Sequence, residues 1–138
     1  MTPHLLYLIL VLGIQTAPQA DWDRERPCGV WTAVCDAALT HHGLDPHAYA
    51  PPTGYRERWR DVFGWTQWCE SKHDPLAVGD FDRFGRGHSK GLWQFSDTYQ
   101  PQVSNTQAFD PYWSTYEAAR QWAGGFAVRW SCYRIHTG

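Results

Sequence analysis

Three features that would point to particular classes of protein are missing from this sequence. The basic residues are scattered, and the formal net charge of the 138 residues is -2, so there is no electrostatic footprint for a nucleic-acid partner. No internal repeat or low-complexity segment is present. The longest apolar run, residues 5–14, is about half the length that a helix needs to cross a bilayer. We therefore expect one globular domain with no stable membrane anchor.

The apolar run at residues 5–14 suits the central part of a secretory signal peptide. The small residue Ala20 follows it, so we predict a cleaved signal over residues 1–20. The absence of Lys and Arg before the run, and Pro18 two residues before Ala20, leave open an uncleaved, membrane-associated segment. Both alternatives predict a secreted or extracytoplasmic protein, in the cell wall or periplasm.

The chain has four cysteines, Cys28, Cys35, Cys69 and Cys132. In a small exported domain they indicate two disulfides, for which three pairings are possible. Cys28 and Cys35 would lie about 10.5 Å apart if both were helical, too far for a bridge. That pair therefore requires a helix that begins after Cys28, for example with Thr32 as N-cap. A zinc site built from Cys69 and His73 has no familiar ligand spacing, and we expect no metal or other cofactor.

Helical periodicity predicts two helices in the first half of the chain. The first covers residues 27–41 and ends before Gly43. The second buries residues at helical spacing from Tyr55 to Cys69 and ends at Asp74-Pro75, because a residue before proline avoids the helical region.

The second half of the chain is predicted from its turn and cap signals. Residues 79–88 form a glycine-punctuated loop or short hairpin, and residues 89–95 form an extended segment. A helix starts at Asp110-Pro111, or alternatively at a capping box from Ser114 to Glu117, and continues to Ala123. The predicted fold class is mainly α (α+β).

One glutamate has no evident surface role. Glutamate is scarce in this chain, with only Glu25, Glu57, Glu70 and Glu117. Glu70 follows a run of aromatic residues that we expect to surround it, namely Trp59, Phe63, Trp65 and Trp68. Apolar surroundings disfavour the carboxylate, so its pKa rises and the group can hold a proton to donate. The alternative is a glutamate at a helix end that points into water.

Several short motifs carry a resemblance to a known family. They are Cys69-Glu70-Ser71, Pro75-x-Ala77, Ser89-x-Gly91-Leu92-Trp93-Gln94-Phe95, Thr98-Tyr99, Asp110-Pro111 and Trp130-x-Cys132. In this order the chain resembles the soluble lytic transglycosylase domain of the lysozyme superfamily, in its disulfide-bonded secreted branch. It is also similar to resuscitation-promoting factors, which share that fold. The similarity covers residues 55–133.

The resemblance implies a lysozyme-like helical domain over residues 55–138, with a small β-hairpin beside the cleft. Residues 21–54 would form an N-terminal tail, the first helix and a linker. Glu70 corresponds to the family's catalytic glutamate, and the substrate-binding positions would be Ser71, Ser89, Gln94, Tyr99 and Ser114. Ser114 stands where the family often has Asn, and the family's Tyr-Asn-x-Gly type motif is missing.

The implied reaction is cleavage of the β-1,4 bond between N-acetylmuramic acid and N-acetylglucosamine in peptidoglycan strands. Glu70 would first protonate the glycosidic oxygen and then deprotonate the muramic C6 hydroxyl, which closes a 1,6-anhydro ring without a second carboxylate. A hydrolytic lysozyme would use a second carboxylate, for which Asp80 and Asp82 are the candidates. We expect both in a mobile loop, paired with Arg83 or Arg86.

Two other classes of function are compatible with the sequence. One is a non-catalytic glycan-binding module that uses the same cleft, and the other is a small zinc or redox protein. A buried carboxyl group is costly for binding alone, which favours the enzyme. For that enzyme we expect a monomer with Cys28–Cys35 and Cys69–Cys132 bridges.

Overall fold

The computed structural model describes residues 22–50 and 57–137. The expected signal peptide at residues 1–20, the turn predicted at residues 51–54 and the predicted start of the second helix at Tyr55 lie outside the described residues. So does the boundary expected between residues 54 and 55.

The described part of the chain has five α-helices and one small antiparallel sheet, a mainly helical α+β arrangement. The helices are α1 (Thr32–His41), α2 (Trp59–Ser71), α3 (Asn105–Phe109), α4 (Pro111–Ala123) and α5 (Ser131–Thr137). The strands are β1 (Val78–Phe81), β2 (Gly87–Lys90) and β3 (Phe95–Ser96). Within these residues, no helix has both the length and the apolar character needed to cross a membrane.

The first helix begins later than the sequence predicts. A short 3-10 turn, Gly29–Trp31, precedes α1, and the side chain of Thr32 accepts a hydrogen bond from the Cys28 backbone N–H at 3.2 Å. Cys28 is therefore outside the helix, which allows it to approach Cys35 to a Cα–Cα distance of 6.6 Å and form a disulfide. The predicted helix start at residue 27 is wrong. The helix begins after Cys28, as the Cys28–Cys35 bridge requires.

Cap signals explain where α3 and α4 begin. The Asp110 side chain accepts hydrogen bonds from the backbone N–H groups of Tyr112 and Trp113, and Pro111 is the first residue of α4. This confirms the start predicted at Asp110-Pro111, and the alternative capping box at Ser114 is wrong. A capping box does occur one helix earlier, where Ser104 and Gln107 bond reciprocally, and α3 was not predicted.

The sheet is a three-stranded meander in the order β1, β2, β3. Gly79 pairs with Ser89 and Phe81 with Gly87, which confirms the hairpin predicted over residues 79–88. The segment predicted as extended up to Phe95 is broken by a turn after Lys90. Gly91 has φ +84, and a Cβ there would lie 1.8 Å from the Ala108 carbonyl oxygen. The absence of a side chain thus lets the sheet pack directly against α3.

The core is built mainly from aromatic rings. The Phe63 ring lies 4.2 Å from Trp93 and 5.0 Å from Trp122, and Trp122 meets Tyr133 of α5 at 5.0 Å. The buried indole of Trp93 donates a hydrogen bond to Thr115 at 3.0 Å. These contacts join α2, α4, α5 and the turn after β2 around one centre.

A second disulfide joins two helices that are far apart in the chain. Cys69 near the end of α2 is bonded to Cys132 at the start of α5, 63 positions away, with a Cα–Cα distance of 6.0 Å. Both expected pairs are present, and no cysteine of the described residues is free. A zinc site that uses Cys69 as a thiolate ligand is excluded by this bond.

We predict that the two bridges contribute unequally to stability. Loop-closure entropy predicts a loss of about 4 kcal/mol for Cys69→Ala/Cys132→Ala and about 2 kcal/mol for Cys28→Ala/Cys35→Ala. Guanidinium unfolding curves of the two double variants measure the difference. An equal or larger loss from the short-loop variant would contradict this account.

Candidate functional site

A cleft of about 760 Å³ lies between the end of α2, the sheet and the segment before α5. The residues that line it come from all of these elements: Glu70, Asp80, Ser89, Gln94, Ser96, Tyr99, Gln100, Arg129, Trp130, Ser131 and Arg134. Most of these residues are polar or charged, so the cavity suits a hydrophilic ligand with several hydrogen-bonding groups.

Glu70 is the partly buried acid of this cleft. The backbone N–H of Cys132 donates a hydrogen bond to Glu70 Oε2 at 3.1 Å, a contact created by the neighbouring Cys69–Cys132 bond. Burial raises the pKa of Glu70, and hydrogen bonds from Cys132 and Ser131 together with the charge of Arg134 offset only part of the rise. A carboxyl group whose pKa is raised in this way keeps its proton to a higher pH than an ordinary glutamate, and it can donate that proton.

The expected aromatic surroundings of Glu70 are wrong. None of the four aromatic residues that precede it in α2 lines the cleft. Trp59 and Phe63 pack towards Trp122 in the core, Trp65 stacks on His136, and Trp68 carries the Lys72 ammonium over its ring. The aromatic side chains in the cleft are instead Trp130 and Tyr99.

Three of the five predicted substrate-binding residues reach the cleft. Ser89 lies on β2, and Tyr99 lies in the turn after β3 with 84% of its surface exposed. Gln94 also lines the cleft, but its Nε2 donates to the carbonyl oxygens of Ala77 (3.1 Å) and Gly91 (3.0 Å). The amide nitrogen of Gln94 is therefore bonded within the fold, to residues on either side of the β1–β2 hairpin. Its side-chain carbonyl oxygen can still accept a hydrogen bond from a ligand.

The other two predicted residues do not lie in the cleft. Ser71 is buried at the end of α2, where its hydroxyl donates to the Gln67 carbonyl oxygen at 3.1 Å. Ser114 is fully buried in α4, and its hydroxyl has no hydrogen-bond partner among the described residues. Neither hydroxyl is placed to contact a substrate, so both predictions are corrected.

The two aspartates of the hairpin have different surroundings. Asp82 accepts hydrogen bonds from the side chain of Arg86 (3.1 Å) and from His88 Nε2 (2.9 Å), so its predicted arginine pairing is confirmed. Asp80 lies in β1, lines the cleft and forms no ion pair with any described residue. The expectation that Asp80 belongs to an arginine-paired loop is wrong.

A polar network anchors the hairpin beside the cleft. His88 donates from Nε2 to Asp82 and from Nδ1 to Asp97 Oδ1 at 2.8 Å, and Lys90 bonds Asp97 Oδ2 at 3.0 Å. Because both ring nitrogens face carboxylates, the geometry fits the doubly protonated imidazolium. These hydrogen bonds, to Asp82 first, raise the pKa of His88, and in turn they lower the pKa of Asp82 to about 2.

Sequence reasoning missed the residues that flank Cys132 and two residues near β3. They are Ser96, Gln100, Arg129, Trp130, Ser131 and Arg134. The available signal was the expected bridge, since any residue close to Cys132 is brought close to Cys69 and therefore to Glu70. Ser96 and Gln100 have no comparable signal, because their position depends on how the third strand pairs.

Comparisons of the chain with protein-family models, with curated proteins and with solved structures found no match.

We predict that the hairpin network makes stability depend on pH. The folded pKa of His88 is raised, so its contribution is complete below the unfolded value of about 6.5 and is lost as pH rises through the folded value. The melting temperature of His88→Gln should fall below that of the native protein at about pH 5, with a smaller difference at about pH 9. His47→Gln, in an exposed histidine, is the control. A difference that grows with pH would contradict this assignment.

Proposed function

We propose that this chain is a lysozyme-like enzyme that cleaves the β-1,4 bond between N-acetylmuramic acid and N-acetylglucosamine in peptidoglycan. The observation that carries the proposal is the partly buried carboxyl group of Glu70, with its raised pKa, at the wall of a polar cleft. The volume of about 760 Å³ accommodates several sugar rings. The position of the hairpin beside the cleft agrees with the arrangement that the motif resemblance implies.

Glu70 is the general acid in this proposal. Its Oε2 accepts the Cys132 amide, so Oε1 carries the proton that passes to the glycosidic oxygen as the bond breaks. The resulting carboxylate then removes the proton from the muramic C6 hydroxyl, and that oxygen attacks the anomeric carbon to close the 1,6-anhydro ring. The Cys132 and Ser131 hydrogen bonds stabilise the transient carboxylate, which allows one residue to serve in both steps.

Asp80 supports a second candidate, hydrolysis of the same bond. It lies on a paired strand, lines the cleft with Glu70 and forms no ion pair among the described residues. A carboxylate in this position can activate a water molecule or stabilise the positive charge that develops on the sugar. This observation gives the hydrolytic alternative more support than the sequence alone provides.

An extracytoplasmic location is compatible with the two disulfides, because such bonds persist in oxidising compartments. Peptidoglycan also lies in that location, so the proposed substrate and the cysteine chemistry agree.

Replacing Glu70 tests the acid directly. Glu70→Gln should reduce release of muropeptides from purified sacculi by at least about a hundredfold, because the amide cannot donate the proton. Its melting temperature should be unchanged or higher, since the native protein buries a carboxyl group at some cost. Glu25→Gln, in the exposed N-terminal segment, is the matched control. Near-native release by Glu70→Gln would rule out Glu70, and binding to sacculi without any release by the native protein would favour a glycan-binding module.

Product masses distinguish the two reactions. We expect 1,6-anhydro ends, which are lighter than reducing ends by one water, and we expect Asp80→Asn to retain most of the activity. Mass spectrometry of the released muropeptides provides the measurement. Reducing ends, together with loss of activity in Asp80→Asn, would instead identify a hydrolytic lysozyme.

A further inference from the structure

Two arginines of the cleft form no ion pair with a described residue. Five arginines, Arg24, Arg58, Arg60, Arg86 and Arg120, each form an ion pair with an aspartate or glutamate. Arg129 and Arg134 line the cleft and form no such pair with any residue from 22–50 or 57–137. The charge of Arg134 acts on Glu70 without an ion-pair contact, so both guanidinium groups remain able to contact a ligand.

Both guanidinium groups are held by neutral groups. Arg129 Nη1 donates to Gln121 Oε1 at 2.9 Å, and its guanidinium lies 4.2 Å from the centre of the Phe126 ring. Arg134 Nη1 donates to the Val128 carbonyl oxygen. These contacts restrict the two side chains without neutralising them, and each guanidinium keeps further N–H groups for another acceptor.

The charge of the cleft follows from these residues. Two acidic residues, Glu70 and Asp80, and two arginines, Arg129 and Arg134, line it. The whole chain has a formal net charge of -2. The two guanidinium groups thus make one part of the cleft cationic on a weakly acidic protein, and that part favours ligands that carry negative charge.

We infer that Arg129 and Arg134 bind carboxylate groups of the substrate, which makes the protein selective for glycans that bear lactyl or peptide carboxylates over neutral N-acetylglucosamine chains. This inference rests on the proposed function, since it assigns a specificity to the same cleft. The planar guanidinium matches a carboxylate with two parallel N–H···O bonds, which gives arginine an advantage over lysine. The two arginines are specificity residues, and Glu70 remains the acid.

Binding measurements on the full chain carrying Glu70→Gln test the inference, because this variant is not expected to consume its ligand. Calorimetry compares two probes of equal sugar number: soluble peptidoglycan chains with free stem-peptide carboxylates, and chitin oligosaccharides. Arg129→Gln/Arg134→Gln should weaken binding of the carboxylated chain by about tenfold or more, the loss expected for a charge-assisted hydrogen bond, and leave chitin binding unchanged. Added salt should weaken the first interaction only.

Arg83→Gln is the matched control, since Arg83 is an exposed arginine outside the cleft lining. Arg129→Lys/Arg134→Lys should recover only part of the affinity, which distinguishes bidentate recognition from general charge. Equal weakening for both probes, or no weakening, would overturn the inference. The readout is independent of cleavage, so an error in the catalytic role of Glu70 would appear in the sacculus assay and leave the carboxylate preference measurable here.

Discussion

The covalent bond between Cys69 and Cys132 is the constraint on which the cleft depends. It places the start of α5 beside the last turn of α2, although the two cysteines are 63 positions apart. The adjacent amide of Cys132 then donates to Glu70, and the same segment supplies four further residues of the cleft lining: Arg129, Trp130, Ser131 and Arg134. The hydrogen bond that Glu70 accepts from Cys132 and the cationic part of the cleft therefore have one structural origin.

The proposed role of Glu70 has a cost in stability. Glu70 is a partly buried carboxyl group, and such a group is destabilising when it is ionised. The disulfide offsets that cost by reducing the entropy of the unfolded chain. The opposite wall of the cleft is held differently, by hydrogen bonds and ion pairs around His88 that change with pH.

Local chemistry made part of the fold predictable. The cap at Asp110 and the hairpin at residues 79–88 depend on neighbouring residues, and both follow from the sequence. The bridges were predictable because four cysteines allow only three pairings. The five-residue helix α3 is too short for a periodic pattern to reveal, although its capping box was present in the sequence.

The surroundings of Glu70 were not predictable in the same way. Helical neighbours lie three or four positions apart, so Trp65 and Trp68, five and two positions before Glu70, do not share its face. The hydrogen bonds and the positive charge that act on Glu70 come from around Cys132, through tertiary contacts. Tertiary packing also explains the error at Ser114. This residue stands at a motif position, but the packing of α4 buries it fully. Motif positions thus located the acid but not the whole cleft.

Burial beside the cleft keeps Glu70 protonated to a higher pH than an ordinary glutamate, and the proposed acid chemistry depends on this shift. A carbon-13 NMR titration of the Glu70 side-chain carboxyl group tests it most directly. We expect a pKa above the ordinary value of a glutamate, which is about 4.3. A Glu70 pKa at or below that ordinary value would contradict this account.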